Sequence, residues 1–60
     1  MSGELPNDPV ILLSVINTKL RDYYPTLDAL CEDMQIEKNQ LTEKLAKLDY
    51  EYDPGQNRFV

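Results

Sequence analysis

The chain has 60 residues, 11 of them acidic and 6 basic, giving a formal charge of -5, with no histidine, no tryptophan and one cysteine. So short a chain supports one small core and no second domain. The charge disfavours phosphate backbones and anionic lipid surfaces, and one cysteine without histidine leaves neither an internal disulfide nor a zinc-type ligand set.

Residues 1–7 read as a flexible arm, with Ser2, Gly3 and Pro6 and no periodicity, ahead of a single compact domain over residues 8–60. The apolar stretch Val10–Ile16 is far too short to span a bilayer, and no basic leader accompanies it. With the lone cysteine, which suits a reducing compartment, the expected location is the cytoplasm, with no membrane partner.

Asp8-Pro9 is a helix start: Asp8 can cap free backbone N–H groups, and Pro9 arrives with its dihedral preset. The spacing predicts a helix over Pro9–Tyr23, with Leu12, Leu13, Ile16, Leu20 and Tyr23 on one face. Val10, Ile11 and Val15 widen that apolar surface. Either this helix is central and nearly enclosed, or Ile11 and Val15 face a second copy of the chain. Pro25 ends the helix by steering Tyr24 out of helical dihedrals. Of the adjacent pair Tyr23-Tyr24, one ring should cover the core; a stacking platform for bases is the alternative.

Thr26 caps a second helix, Leu27–Met34, whose apolar face is Leu27, Leu30, Cys31 and Met34. Cys31 reads as a small buried hydrophobe. Gln35-Ile36 then forms a turn, with Gln35 in the left-handed region at a cost of about 1 kcal/mol and Ile36 tucked between helices. Glu37 is a weak cap for a third helix, Lys38–Leu48, packed through Leu41, Leu45 and Leu48. The run from Leu30 to Leu48 therefore has helix-turn-helix spacing.

In a DNA reader, the outer face of the third helix would enter the major groove, with Lys38, Asn39, Gln40, Lys44 and Lys47 as contacts and Arg58 added from a wing. Against this stand Glu37 and Glu43 on the same helix, with Glu43 placed for an i+4 pair with Lys47. Asp28, Glu32 and Asp33 lie on the helix before it, and few phosphates could be neutralised there. The same outer face, through Asn39, Glu43 and Lys47, is also a candidate protein-contact surface alongside Ile11 and Val15.

Tyr50-Glu51-Tyr52 alternates like a strand, and Asp53-Pro54-Gly55 is a turn signal of type II form, with glycine supplying positive φ. Arg58–Val60 would return as a second strand, pairing Glu51 with Arg58 and packing Phe59 against a tyrosine or the third helix. Asp49, Glu51 and Asp53 make the wing acidic. The outer strand edges are expected to be open to pairing with another chain.

The expected fold is thus mainly α: a three-helix, helix-turn-helix-like domain with a C-terminal β-hairpin, winged-helix-like in arrangement. No nucleophile stands beside a usable base, no glycine-rich phosphate loop is present, and neighbouring carboxylates such as Glu32-Asp33 read as solvated charge. The expectation is a non-enzyme with no metal and no cofactor: a protein-interaction or self-associating module, with a DNA-binding regulator as the alternative.

Three segments carry a more specific resemblance: DPVILLSVINTKLRD at Asp8–Asp22, YPTLDALCEDM at Tyr24–Met34 and YEYDPGQNRF at Tyr50–Phe59. In these the chain resembles a family of uncharacterised bacterial proteins, the domain of unknown function numbered 4250. The resemblance spans Leu5 to Phe59 and implies a compact stand-alone protein, with no activity to carry over. A looser resemblance to winged helix-turn-helix domains rests on Leu30, Cys31, Met34, Ile36, Leu41, Leu45 and Leu48. Gln35 and Glu37 replace that pattern's usual glycine and Ser/Thr.

Overall fold

The computed structural model describes residues 6–60, so the amino-terminal arm expected over residues 1–7 lies mostly outside the described residues. In chain order, the elements are α1 (Pro9–Asp22), α2 (Leu27–Met34), α3 (Lys38–Ala46), β1 (Tyr52–Asp53) and β2 (Arg58–Phe59). The expected three helices and antiparallel hairpin are present, in a helix-turn-helix-like and winged-helix-like arrangement. None of the described helices is long and apolar enough to cross a membrane.

Each helix start follows its local chemistry. Val10 N–H donates to Asp8 Oδ1 at 2.9 Å, and Ala29 N–H donates to Thr26 Oγ1 at 3.1 Å. Glu37 makes no side-chain cap on α3. Gln35 ends α2 at φ 56°, with the Ile36 N–H returning to the Cys31 carbonyl at 2.9 Å. That closure satisfies a carbonyl the helix would otherwise orphan.

α3 stops at Ala46, two residues short of the expected Leu48. Asp49 takes φ 64°, and the Tyr50 N–H reaches back to the Leu45 carbonyl at 3.2 Å. This is the same left-handed closure as at Gln35, made without a glycine or a following proline to announce it. Lys47 consequently lies in the turn after the helix, and the expected Glu43–Lys47 pair does not close to ion-pair distance.

The core joins Leu12, Ile16 and Leu20 of α1 to Leu27, Leu30 and Cys31 of α2, Leu41 and Leu45 of α3, and Phe59 of β2. Leu13, Tyr24, Met34, Ile36 and Tyr52 pack around it. Each enclosed leucine or phenylalanine removes enough apolar area from water to contribute about 1.5–3 kcal/mol. Burial holds the Cys31 thiol above its ordinary pKa, in keeping with a packing role.

Tyr23 is not on the buried face: it is 72% exposed, with Lys19 Nζ 5.8 Å from its ring centroid. Its φ of -127° has left the helical progression, so the 100° spacing no longer applies. Tyr24 covers the core instead and donates its hydroxyl to Asp33.

In the hairpin, Tyr52 faces Phe59 and Asp53 faces Arg58. Glu51 and Val60 exchange backbone bonds at 3.0 and 2.8 Å. Glu51 is therefore opposite Val60, not Arg58, and the expected Glu51–Arg58 pair is absent. The loop runs through Gln56 and Asn57 as expected, but its turn is not of type II form: Gln56 N–H closes on the Asp53 carbonyl at 3.2 Å, and positive φ falls on Asn57, at 55°, not on Gly55. Tyr52 and Phe59 rings meet at 5.6 Å, tilted by 56°. Tyr50 does not share that inward face and is 37% exposed, because it follows the left-handed Asp49 before pairing begins.

Two asparagines dock this hairpin on the helices. Asn17 Nδ2 donates to the Phe59 carbonyl at 3.2 Å, and Asn17 Oδ1 accepts the Phe59 N–H at 2.8 Å. Asn57 Nδ2 donates to the carbonyls of Leu20, at 3.1 Å, and Tyr24, at 2.9 Å, where α1 ends. Asn57 Oδ1 accepts the Tyr52 hydroxyl at 2.7 Å, and that hydroxyl accepts the Leu27 N–H, at the start of α2, at 3.2 Å. The β2 edge at Phe59 is thus filled by α1, which corrects the expectation that both strand edges are open.

Candidate functional site

Docking the short hairpin on α1 leaves a groove between them. Its volume is about 780 Å³, and it opens to solvent. Val10, Leu13, Ser14 and Arg21 come from α1, and Tyr50 and Arg58 from the hairpin side. The helical period places Val10, Leu13, Asn17 and Arg21 along one flank of α1. Asn17 is taken up by Phe59, Gln56 Nε2 by Asp53 and part of the Arg21 fork by Asp22, so the polar capacity left in the groove rests on Ser14, Thr18, the Tyr50 hydroxyl and Arg58, with the rest of Arg21.

Charge is distributed unevenly around this groove. Both arginines of the chain line it, and no carboxylate does. Asp53, the residue across the strands from Arg58, is held within its own turn. Gln56 Nε2 and the Gly55 N–H both donate to it at 2.9 Å and hold its carboxyl below the usual range. Among the described residues, no carboxylate forms an ion pair with Arg58. Arg21 grips the neighbouring Asp22 at 2.9 and 3.1 Å, and this bond lowers the Asp22 pKa.

The sequence-predicted contacts do not gather into one site. Lys38 is bound to Asp28 at 2.8 Å, which raises its pKa. Lys38 and Lys44 stand about 120° apart around the α3 axis, with Leu41 and Leu45 buried between their flanks. Lys44 and Gln40 border a small cleft with Pro6, Leu12 and Ile36. Arg58 lies in the α1–hairpin groove, and Glu43 lines a third depression with Ala46, Tyr50 and Glu51. Asn39 and Lys47 are exposed without a side-chain partner among the described residues. Ile11, 53% exposed, and the half-buried Val15 are not part of the groove's lining.

Arg21, Asn17 and Asn57 did not stand out in the sequence. A faint signal existed for Asn57, since asparagine tolerates the left-handed region. Asn17, a poor helix former beside an apolar stripe, gave another. Among the described residues, no group of three or more His, Cys, Asp or Glu side chains could hold a metal ion. No buried side-chain nitrogen or oxygen there lacks a partner.

No curated protein and no solved structure matches the chain. A family match covers residues 6–59, from the start of the described chain through the buried Phe59, and so spans the groove and both docking asparagines. The chain belongs to the family described as Domain of unknown function (DUF4250).

Proposed function

We propose that this chain is a small non-catalytic protein-interaction module that holds its partner in the groove between α1 and the hairpin. The observation that carries this reading is a solvent-open groove of mixed lining beside a well-packed core, in which Val10, Leu13 and Tyr50 stand among Ser14, Thr18, Arg21 and Arg58. Val10 is 61% exposed, and Leu13 and Tyr50 border the same groove. Exposed apolar surface framed by polar groups is characteristic of contact sites.

A DNA-binding regulator has less support. The basic side chains of α3 lie on separate flanks, one is bound to Asp28, and Glu37 and Glu43 share the helix. Self-association through Ile11 and Val15 is the second reading, supported by the exposure of Ile11.

Two measurements separate these readings. Solution mass over a concentration series should stay at one chain if the partner is another protein; a dimer abolished by Ile11→Asp supports self-association. Random-sequence duplex DNA at about 20 mM salt, where phosphate contacts are strongest, should not bind. DNA binding that Lys44→Glu and Lys47→Glu abolish would replace the interaction reading with the regulator.

A further inference from the structure

We infer that the groove takes an acidic peptide segment, whose apolar side chains lie against Val10, Leu13 and Tyr50 and whose carboxylates meet Arg21 and Arg58. The inference rests on the reading of the chain as a protein-interaction module and names the partner's chemistry.

Charge complementarity is the argument. In a chain with 11 acidic and 6 basic residues, this groove is lined by both arginines and by no carboxylate, with Asp22 bound to Arg21 at its border. Arg58 is available because Asp53 is occupied by Gly55 and Gln56. Arg21 has a counter-ion in Asp22, but the two side chains are 74% and 41% exposed. Water screens such a surface pair, and it is readily exchanged for a ligand carboxylate. The guanidinium fork suits a carboxylate in a bidentate bond.

Size and chemistry fit a peptide. Val10 to Arg21 is eleven helical rises, about 16 Å at 1.5 Å each. That length accommodates about five residues of extended chain. The mixed lining, with Val10, Leu13 and Tyr50 beside Arg21 and Arg58, favours a segment that alternates apolar and acidic side chains. A nucleic acid would bring dense negative charge close to the many surrounding carboxylates, whereas a peptide brings only the few that the arginines meet.

The test pans the full chain against a random 12-residue peptide phage library. Enriched sequences should place Asp or Glu beside Leu, Ile or Phe. A labelled peptide of that consensus should shift the amide signals of Val10, Arg21 and Arg58 in a two-dimensional NMR titration. Arg21→Glu with Arg58→Glu, both at exposed positions, should weaken it about tenfold or more, while Lys47→Glu should leave it unchanged.

Enriched peptides that are basic but shift the same groove would overturn the acidic assignment and leave the interaction reading standing. Enrichment at another surface would likewise overturn it. No enrichment, with a monomeric mass at high concentration, would overturn both. Duplex DNA shifting the groove signals in place of peptide would also overturn both.

Discussion

Asn17 meets Phe59 as a neighbouring strand would, its carboxamide donating to the Phe59 carbonyl at 3.2 Å and accepting the Phe59 N–H at 2.8 Å. A helical side chain thereby takes the place of a third strand beside a two-stranded ribbon. Such a ribbon has little stability of its own and must lean on other elements. The pairing also fixes how deeply Phe59 enters the core, where it is fully buried.

Asn17→Ala should destabilise the fold by about 2 kcal/mol, from two lost bonds and a partly buried peptide group left unpaired. Asn17→Asp keeps the acceptor but loses the donor to the Phe59 carbonyl, and should be impaired as well. Urea denaturation monitored by circular dichroism measures both. A change within about 0.5 kcal/mol for Asn17→Ala, the usual range for surface substitutions, would mean that the pairing is incidental.

Asn57 combines a left-handed backbone at φ 55° with bonds to Leu20, Tyr24 and Tyr52. Asn57→Gly removes the bonds but keeps the backbone comfortable; Asn57→Ala loses both. Alanine should therefore cost about 1 kcal/mol more than glycine at this position. Equal losses would show that side-chain bonds alone explain its role.

Gln35 and Asp49 occupy left-handed closures at φ 56° and 64° without being glycine. Gln35→Gly and Asp49→Gly should each stabilise by about 0.5–1 kcal/mol, which in a domain of this size raises Tm by several degrees. Thermal melts of the two variants and their combination check this, and the gains should add because the two turns are separate.

The acid response follows from the carboxylates held low. Asp53 is lowered first by Gln56 and then by the Gly55 N–H, and Asp22 is lowered by its bond to Arg21. A carboxyl whose folded pKa is depressed contributes its full stabilisation above the unfolded value, about 3.9 for Asp. That contribution is lost as pH falls through the folded value. Stability should therefore decline below about pH 4, and Asp53→Asn should flatten part of the decline. Melting temperatures from pH 6 down to pH 2 give the comparison.

The helices and their core were legible in the sequence because caps and apolar spacing act locally. Asp8, Thr26, Gln35 and the stripe from Leu12 to Leu20 behave as their chemistry dictates. Departures occur where a backbone leaves its period earlier than the sequence marks. α3 stops at Ala46 with no glycine or proline to announce it, and Tyr23 turns outward one residue before the Tyr24 that Pro25 was expected to displace. The loop through Asn57 and the return at Arg58 were legible, but the partner of Arg58 was misplaced by two residues, because charge pairing favoured Glu51 where the backbone sets Asp53 opposite it. The groove was not legible, since it depends on how Asn17 and Asn57 seat the hairpin, contacts spanning 42 and up to 37 residues.

That separation also bears on the order of events in folding. Helix caps and the turn at Gln35 close over a few residues, whereas Asn17 must find Phe59 across 42. Loop-closure entropy makes the second kind of contact a late one. The hairpin should therefore be the first piece to peel away. Substitutions at Asn17 should then quicken unfolding far more than they slow refolding, and a stopped-flow chevron would show the change in its unfolding arm.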